Sequence, residues 1–243
     1  MNLVERFFFG TGTTYDAMVH YATFGIDRRW KRRMLDLMPP HPTRILDLAS
    51  GTGISTLMIA GRFPSCQVVG VELRQEYLEI ARAKVERLGI RNVEFVLSRA
   101  EDYRSTEPFD CVTSSYLAKY ADLQRLIPVT AGMLREGGLC LMHDFTYPPN
   151  AFLVRIWRLY FWVLQRIGAR FFPTWHEIFD GLPRLIARTR WIPELTEAFR
   201  DNGFVETRVE HLTAYGSAIV TARKGARLHA PAAGRGPDIS LQS

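Results

Sequence analysis

The stretch that most constrains this chain is Arg44-Ile45-Leu46-Asp47-Leu48-Ala49-Ser50-Gly51-Thr52-Gly53-Ile54-Ser55-Thr56-Leu57. A basic and apolar run ending in an acid reads as a short buried strand. A Gly-Thr-Gly turn breaks it, and the chain restarts as a helix with Ser and Thr near its first turn. The pattern predicts a strand-loop-helix unit that holds a small ligand over the edge of a parallel sheet. The two glycines let backbone pass under a ligand with no Cβ in the way, and Asp47 stands at the strand's carboxyl end, where such sheets bind their ligands. No Lys follows the glycines, so the loop is not a phosphate cradle of the G-x-x-x-x-G-K-[ST] kind, and a three-glycine dinucleotide fingerprint is incomplete. Gln67-Val68-Val69-Gly70-Val71-Glu72 reads as a second strand, ending in an acid about twenty residues beyond the loop. A carboxylate there is placed to accept hydrogen bonds from both hydroxyls of a ribose.

A chain of 243 residues can bury one substantial core, which makes a single α/β domain with embellishments the default. A formal charge of +6, carried by many arginines, suits an anionic surface, either a membrane leaflet or a nucleic acid. No run is long and uncharged enough to span a bilayer, and Met1-Asn2-Leu3-Val4-Glu5-Arg6 lacks a signal-peptide design. The expected location is the cytoplasm, peripheral on the inner face of the cell membrane. Cys66, Cys111 and Cys140 are scattered and without C-x-x-C spacing, so they read as buried core thiols and not as metal ligands or a disulfide.

The D/E-x-x-x-G-x-G spacing from Asp47 to Gly53 resembles the cofactor loop of class I S-adenosylmethionine-dependent methyltransferases. A more specific resemblance lies upstream. Tyr15-Asp16-Ala17-Met18, then Gly25, then Trp30-Lys31-Arg32 just before the first strand, are similar to the N-terminal segment of the ubiquinone/menaquinone C-methyltransferase family. In that family the segment caps the cofactor and the ring to be methylated. Without the resemblance, the same residues make a helix pair packed by Phe7, Phe8, Phe9 and Trp30 with no ligand role. Pro39, Pro40 and Pro42 stop the helix. The resemblance implies an α/β, Rossmann-like class I methyltransferase fold: a seven-stranded, mostly parallel sheet closed by a C-terminal antiparallel hairpin. It divides the chain into an N-terminal helical cap (1–40), the methyltransferase domain (41–223) with a helical insertion facing substrate or membrane (150–192), and a tail without periodicity (224–243), expected to be disordered.

It also implies a set of site residues. Asp47, Gly51, Thr52, Gly53 and Glu72 would hold S-adenosylmethionine, with Arg99 and Ala100, after the third strand (92–97), flanking the adenine. Glu101 or Asp102 would accept from the adenine amino group. Phe109 to Tyr116 reads as the central fourth strand, where Ser115 matches a cofactor-contacting Ser. Lys119 stands where the family has Arg, and Leu117 where Gly is usual. A compact ammonium does not reproduce a planar guanidinium, so the ring is expected to sit differently here. Arg135-Glu136-Gly137-Gly138 reads as the turn before a fifth strand, Leu139 to Phe145, which carries His143 and Asp144 toward the ligand edge. The expected catalytic groups are Lys119 or Tyr116, orienting a ring oxygen, and His143 as a neutral base; a buried structural histidine is the alternative.

Between Phe152 and Phe172 lie Trp157, Tyr160, Phe161 and Trp162 among many aliphatics. On a helix, Arg155, Arg158, Arg166 and Arg170 fall within a sector of roughly 120°. A basic stripe beside an aromatic face suits a helix lying in a membrane interface, and a helix buried against its own domain or a partner subunit shows the same composition. Glu194 to Asn202 reads as a short helix, and Phe204 to Leu212 and Ala218 to Arg223 as the closing hairpin.

The resemblance implies methylation of a ring carbon of a polyprenylated hydroquinone or phenol, in menaquinone-, ubiquinone- or plastoquinone-type biosynthesis. The expected partners are that lipid-like quinol, a membrane surface through residues 152–172, and a homodimer or biosynthetic complex. Two readings share the same features: a methyltransferase for another membrane lipid, such as a phospholipid amine, and a non-catalytic quinone-binding scaffold. Nucleic acid is not expected, because the basic residues alternate with apolar ones and no Asn-Pro-Pro-Tyr-type loop follows the fourth strand.

Overall fold

The computed structural model describes residues 7, 8 and 10–226. Seven strands form one sheet in the order β3-β2-β1-β4-β5-β7-β6. They are β1 (Arg44–Leu48), β2 (Gln67–Glu72), β3 (Val93–Leu97), β4 (Phe109–Ser115), β5 (Leu134–Phe145), β6 (Phe204–Leu212) and β7 (Ser217–Lys224). β1 to β5 pair in parallel, and β7 inserts antiparallel between β5 and β6. The helices are α1 (Gly12–Ala22), α2 (Ile26–Leu37), α3 (Ile54–Arg62), α4 (Gln75–Leu88), α5 (Leu123–Met133), α6 (Ala151–Val163), α7 (His176–Arg188) and α8 (Trp191–Asp201); three residues, Ala169–Phe171, form one further helical turn between α6 and α7.

Strand alternation sends neighbouring side chains to opposite faces. Ile45, Val68, Cys111 and Leu141 join Met34 of α2 and Ile59 of α3 in one core, while Leu46, Val69, Val112 and Cys140 join Leu126 of α5 and Phe199 of α8 in the other. All three cysteines lie in this buried interior, unpaired. A third apolar cluster, Phe7, Met18, Trp175, Ile178 and Phe179, forms a roof over the carboxyl ends of the parallel strands.

Two elements differ from the sequence expectation, and a third forms inside the expected helical insertion. β5 begins at Leu134, because Leu134 already pairs with Phe109 before the register shifts and Leu139 pairs with Cys111. The expected turn is thus a bulge inside the strand, with Gly137 at φ +71°, a conformation that favours glycine. The aromatic segment is not one regular helix: α6 runs into a π-helical turn at Leu164–Gly168. α7 forms through Gly181 and Pro183, because Ile178, Phe179, Pro183 and Ile186 recur at helical spacing and bury one face. Gly181 meets the Phe7 ring, where a Cβ would collide with it. The expected disorder of the tail concerns residues lying, beyond 226, outside those described.

Asp110 ties the bulge to the start of β1. It accepts from the Thr43 N–H (2.6 Å), the Thr43 hydroxyl (2.9 Å) and the Arg44 N–H (2.9 Å), and it pairs with Arg135. Burial alone would raise its carboxyl, but these hydrogen bonds and the guanidinium leave it below its ordinary value. A depressed carboxyl contributes stability above its unfolded value near 4 and loses it as pH falls through the folded value. Asp110→Asn should therefore lower stability by about 2 kcal/mol at pH 7, and the gap from wild type in thermal melts should close on acidification toward pH 3.

Candidate active site

Two cavities meet above the carboxyl ends of β1, β2, β4 and β5. The first is lined by Gly51, Glu72, Arg99, Ala100 and Ser115 from the strand ends, with Phe8, Tyr15, Tyr77, Tyr116 and Tyr120 around them. The second, of about 370 Å³, is lined mainly by apolar side chains of α1, α6 and α7. Phe8, Tyr15, Tyr116 and Tyr120 belong to both walls, so an aromatic boundary separates the two spaces.

The loop after β1 is built to leave the first cavity open. Gly51 has φ +57° and a Cβ there would meet nothing, while Gly53, at φ +85°, starts α3 close against Ala81 and Phe95. The Glu72 carboxylate accepts from the Gly51 N–H (2.9 Å) and the Arg74 N–H (2.9 Å), which fixes it beside the loop. Burial raises its pKa against those stabilising bonds. Asp47 is buried behind the loop. Its Oδ2 accepts from the Thr56 hydroxyl (2.6 Å), whereas its Oδ1 has no hydrogen-bond partner. Burial pushes this carboxyl up to about 7, opposed by Thr56 and by the Lys31 charge. Thr52 points away from the cavity, donating to Asp16 of α1 at 2.5 Å.

At the boundary, Tyr116 has φ +69°, strained for a side-chain-bearing residue. Its ring stacks on Phe145 at 4.6 Å, and its hydroxyl donates to Asp27 Oδ1 at 2.5 Å. Asp27 also accepts from Lys31 at 2.5 Å, and both residues are buried. Lys119 lines the apolar cavity. Its Nζ donates to Asp144 Oδ1 (2.7 Å) and to the Tyr116 carbonyl (3.0 Å), and lies 4.3 Å from the centre of the Tyr120 ring. Burial lowers the Lys119 pKa, against the raising effect of Asp144. Burial raises Tyr15, Tyr116 and Tyr120 well above ordinary phenols, which keeps their rings neutral.

His143 lies fully buried one strand over and lines neither cavity. Its Nδ1 is 2.9 Å from the Ser115 hydroxyl, and its ring packs against Trp30 and Tyr116. Burial, then the Lys31 and Lys119 charges, hold it well below the usual histidine range, so it is neutral. Of the residues read from the sequence, Gly51, Glu72, Arg99, Ala100, Ser115, Tyr116 and Lys119 line a cavity, and Asp47, Thr52, Gly53 and His143 stand behind the wall. Asp27 was not singled out as a functional residue, because an acid four residues before a lysine reads as an ordinary helix ion pair.

The sequence matches the ubiE/COQ5 methyltransferase family over residues 2–224. This chain belongs to that family. Relatives include a demethylmenaquinone methyltransferase of Thermus thermophilus, 34% identical over 76% of this chain and 80% of its own length. A ubiquinone/menaquinone biosynthesis C-methyltransferase UbiE of Syntrophotalea carbinolica is 31% identical over 88% and 89%. Among solved structures, a geranyl diphosphate methyltransferase in complex with S-adenosylmethionine superposes with a TM-score of 0.60 at 17% identity, covering 84% of this chain and 88% of that one, a likeness of fold. The protein is an S-adenosylmethionine-dependent methyltransferase.

The first cavity fits that cofactor on its own features. The open face of Gly51 admits a ligand against backbone and Glu72 presents a fixed carboxylate, while Asp47, behind the loop, holds an unpartnered buried oxygen whose charge favours an ammonium on the cavity side. In the ligand-free protein, a carboxyl with a raised pKa costs stability as pH climbs from its unfolded value near 4 to about 7. Asp47→Asn removes that cost and keeps an acceptor for Thr56. The variant should melt above wild type at pH 8 and level with it at pH 4, while binding S-adenosylmethionine about tenfold or more weakly by calorimetry.

Proposed function

We propose that the chain methylates a ring carbon of a polyprenylated hydroquinone or phenol in respiratory quinone biosynthesis. The carrying observation is the apolar cavity that adjoins the cofactor cavity across Tyr116 and Tyr120 and has one buried cation, Lys119, on its wall. Its volume is that of a small-ligand pocket, so a ring and the start of a tail fit and a longer tail must leave. Leu153, Trp157, Tyr160 and Leu164 of the α6 segment wall that route.

Bound in the first cavity, the cofactor supplies a methyl group already activated on a sulfonium. Glu72 would hold the ribose hydroxyls, Ala100 and the Arg99 backbone would flank the adenine, and Asp47 would take the ammonium. The neutral tyrosine rings suit a cationic ligand. With an activated donor, the chain's main task is positioning. Lys119 and Tyr116 orient the ring oxygen, and the Asp144 carboxylate holds the ammonium in place. His143, neutral and behind Ser115, is assigned to fixing that serine and not to taking a proton.

The outer face of α6 supports membrane association. Phe152, Ile156, Leu159, Trp162 and, in the π turn, Ile167 are exposed, as are Phe24 and Tyr21 at the end of α1. Arg155, Arg158, Arg166 and Arg170 are exposed on the same segment, and among the described residues none has a carboxylate partner. No described helix is long and apolar enough to cross a membrane. The exposed rings and arginines together suit an anionic leaflet.

Purified protein given S-adenosylmethionine and a short-chain demethylmenaquinol in mixed micelles should yield a ring product heavier by one methyl group. Methylation of a phospholipid amine with the quinol untouched would overturn the assignment. Arg155→Gln with Arg158→Gln should weaken binding to anionic vesicles by roughly tenfold or more, at about 1 kcal/mol per arginine, in a flotation assay.

A further inference from the structure

A phenol entering this cavity must give up its proton, and the groups on the wall are poor acceptors. Lys119 donates to Asp144 and to a carbonyl, and the tyrosines are held as neutral phenols. His143 lines neither cavity. Two carboxylates lie directly behind wall residues, Asp144 behind Lys119 and Asp27 behind Tyr116. Asp144 is engaged at both oxygens: Oδ1 accepts from Lys119 Nζ (2.7 Å) and the Phe145 N–H (2.7 Å), and Oδ2 from the Lys119 N–H (3.0 Å). Asp27 uses Oδ1 alone for Tyr116 and Lys31.

Because Tyr116 donates its proton to Asp27, the lone pairs of its oxygen remain to accept from a phenol. The strained backbone at Tyr116 and the stack on Phe145 hold that arrangement at the boundary where the two cavities meet. Lys31, whose Nζ lies 4.8 Å from the centre of the Tyr116 ring, supplies a positive charge beside any developing phenolate.

We propose that Asp27, acting through the Tyr116 hydroxyl, is the proton acceptor for the phenolic substrate, with Lys31 fixing its geometry. This rests on the quinol reading given above. The phenol O–H bond breaks as a new O–H bond forms at Tyr116, while the original Tyr116 O–H bond breaks and one forms at Asp27. Once the methyl group is on the ring carbon, that carbon loses its hydrogen as a proton to water. The relay then runs in reverse and returns the stored proton to the ring oxygen, so one proton is released overall. Tyr116 is the group that touches substrate, and Asp27 and Lys31 act through it.

The charged and titratable groups around this relay come from four elements. Lys31 lies on the same helix as Asp27, Tyr15 of α1 feels the Asp27 charge, and Tyr116 and Lys119 follow β4. His143 and Asp144 sit at the end of β5; the Lys31 charge helps to hold His143 neutral, and the Asp144 charge raises Tyr116.

The test is the pH profile of kcat for Asp27→Asn, in which the amide oxygen still accepts from Tyr116 but cannot take the proton. Measured beside it is Tyr116→Phe, which keeps the ring stack and removes the hydroxyl. S-adenosylmethionine affinity, by calorimetry, serves as a folding control. The expected result for both variants is cofactor affinity within threefold of wild type and kcat down on the order of 10²-fold at pH 7, with quinol KM little changed in Asp27→Asn and raised in Tyr116→Phe, which loses a hydrogen bond to the ring oxygen. The loss should shrink as pH rises, and shrink again with a halogenated quinol whose phenol is more acidic, because ionisation in solution then replaces the relay. A wild-type kcat in Asp27→Asn, or a loss that neither pH nor the acidic quinol recovers, would overturn the relay and leave the quinol assignment standing. A wild-type enzyme inactive on every quinol would instead remove that assignment, and the relay with it.

Discussion

Two buried ion pairs meet across one aromatic ring: Lys31 with Asp27 from the N-terminal helices, and Lys119 with Asp144 from the ends of β4 and β5. Both ammonium groups approach Tyr116, at 4.8 Å and 5.3 Å from its ring centre. Taking four charges out of water is expensive, and removing one member of such a pair typically costs about 3–5 kcal/mol because its partner is left uncompensated. These pairs are therefore weak evidence of stabilisation and strong evidence of placement. They hold Tyr116 in an unfavourable backbone conformation where the cofactor and apolar cavities touch. The core that tolerates this is the five-stranded parallel sheet, buried on both faces by α2, α3, α5 and α8.

The N-terminal helices are consequently part of the site. Thr11 bonds the Tyr77 hydroxyl (2.6 Å), the Gly12 N–H donates to Glu76 (2.9 Å), and Asp16 accepts from both Thr52 and Lys84. Each contact joins the cap to the glycine loop or to α4, the elements beside the cofactor cavity. On the other side, Leu164 of the π turn and Ile178, Phe179 and Leu182 of α7 share the third apolar cluster with Phe7 and Met18. One roof therefore covers both cavities, and its underside supplies the aromatic boundary between them.

Much of this was legible from local pattern. Apolar runs, the D-x-x-x-G-x-G loop and the acid closing β2 mark the strands and the cofactor edge, because each depends on residues adjacent in the chain, while the sheet as a whole came from the family resemblance. Gly51 and Glu72 emerged from spacing alone and meet through a single hydrogen bond. What depended on distant packing was not readable. Asp27 and Lys31 look like a surface helix pair until α2 is laid against Tyr116, 89 residues away. His143 alternates with inward and outward positions on β5 in a way that spacing cannot orient, and the register Ser115 to His143 buries it. The Gly137-Gly138 turn became a bulge because β4 begins pairing at Phe109, before the glycines are passed.

Methyl transfer to a quinol ring is best checked by quinone profiling with mass spectrometry, in cells with and without the gene. Deletion should remove the mature quinone and leave a species lighter by one methyl group, which would also identify the head group. An unchanged quinone profile, with altered methylation of another membrane lipid, would contradict it.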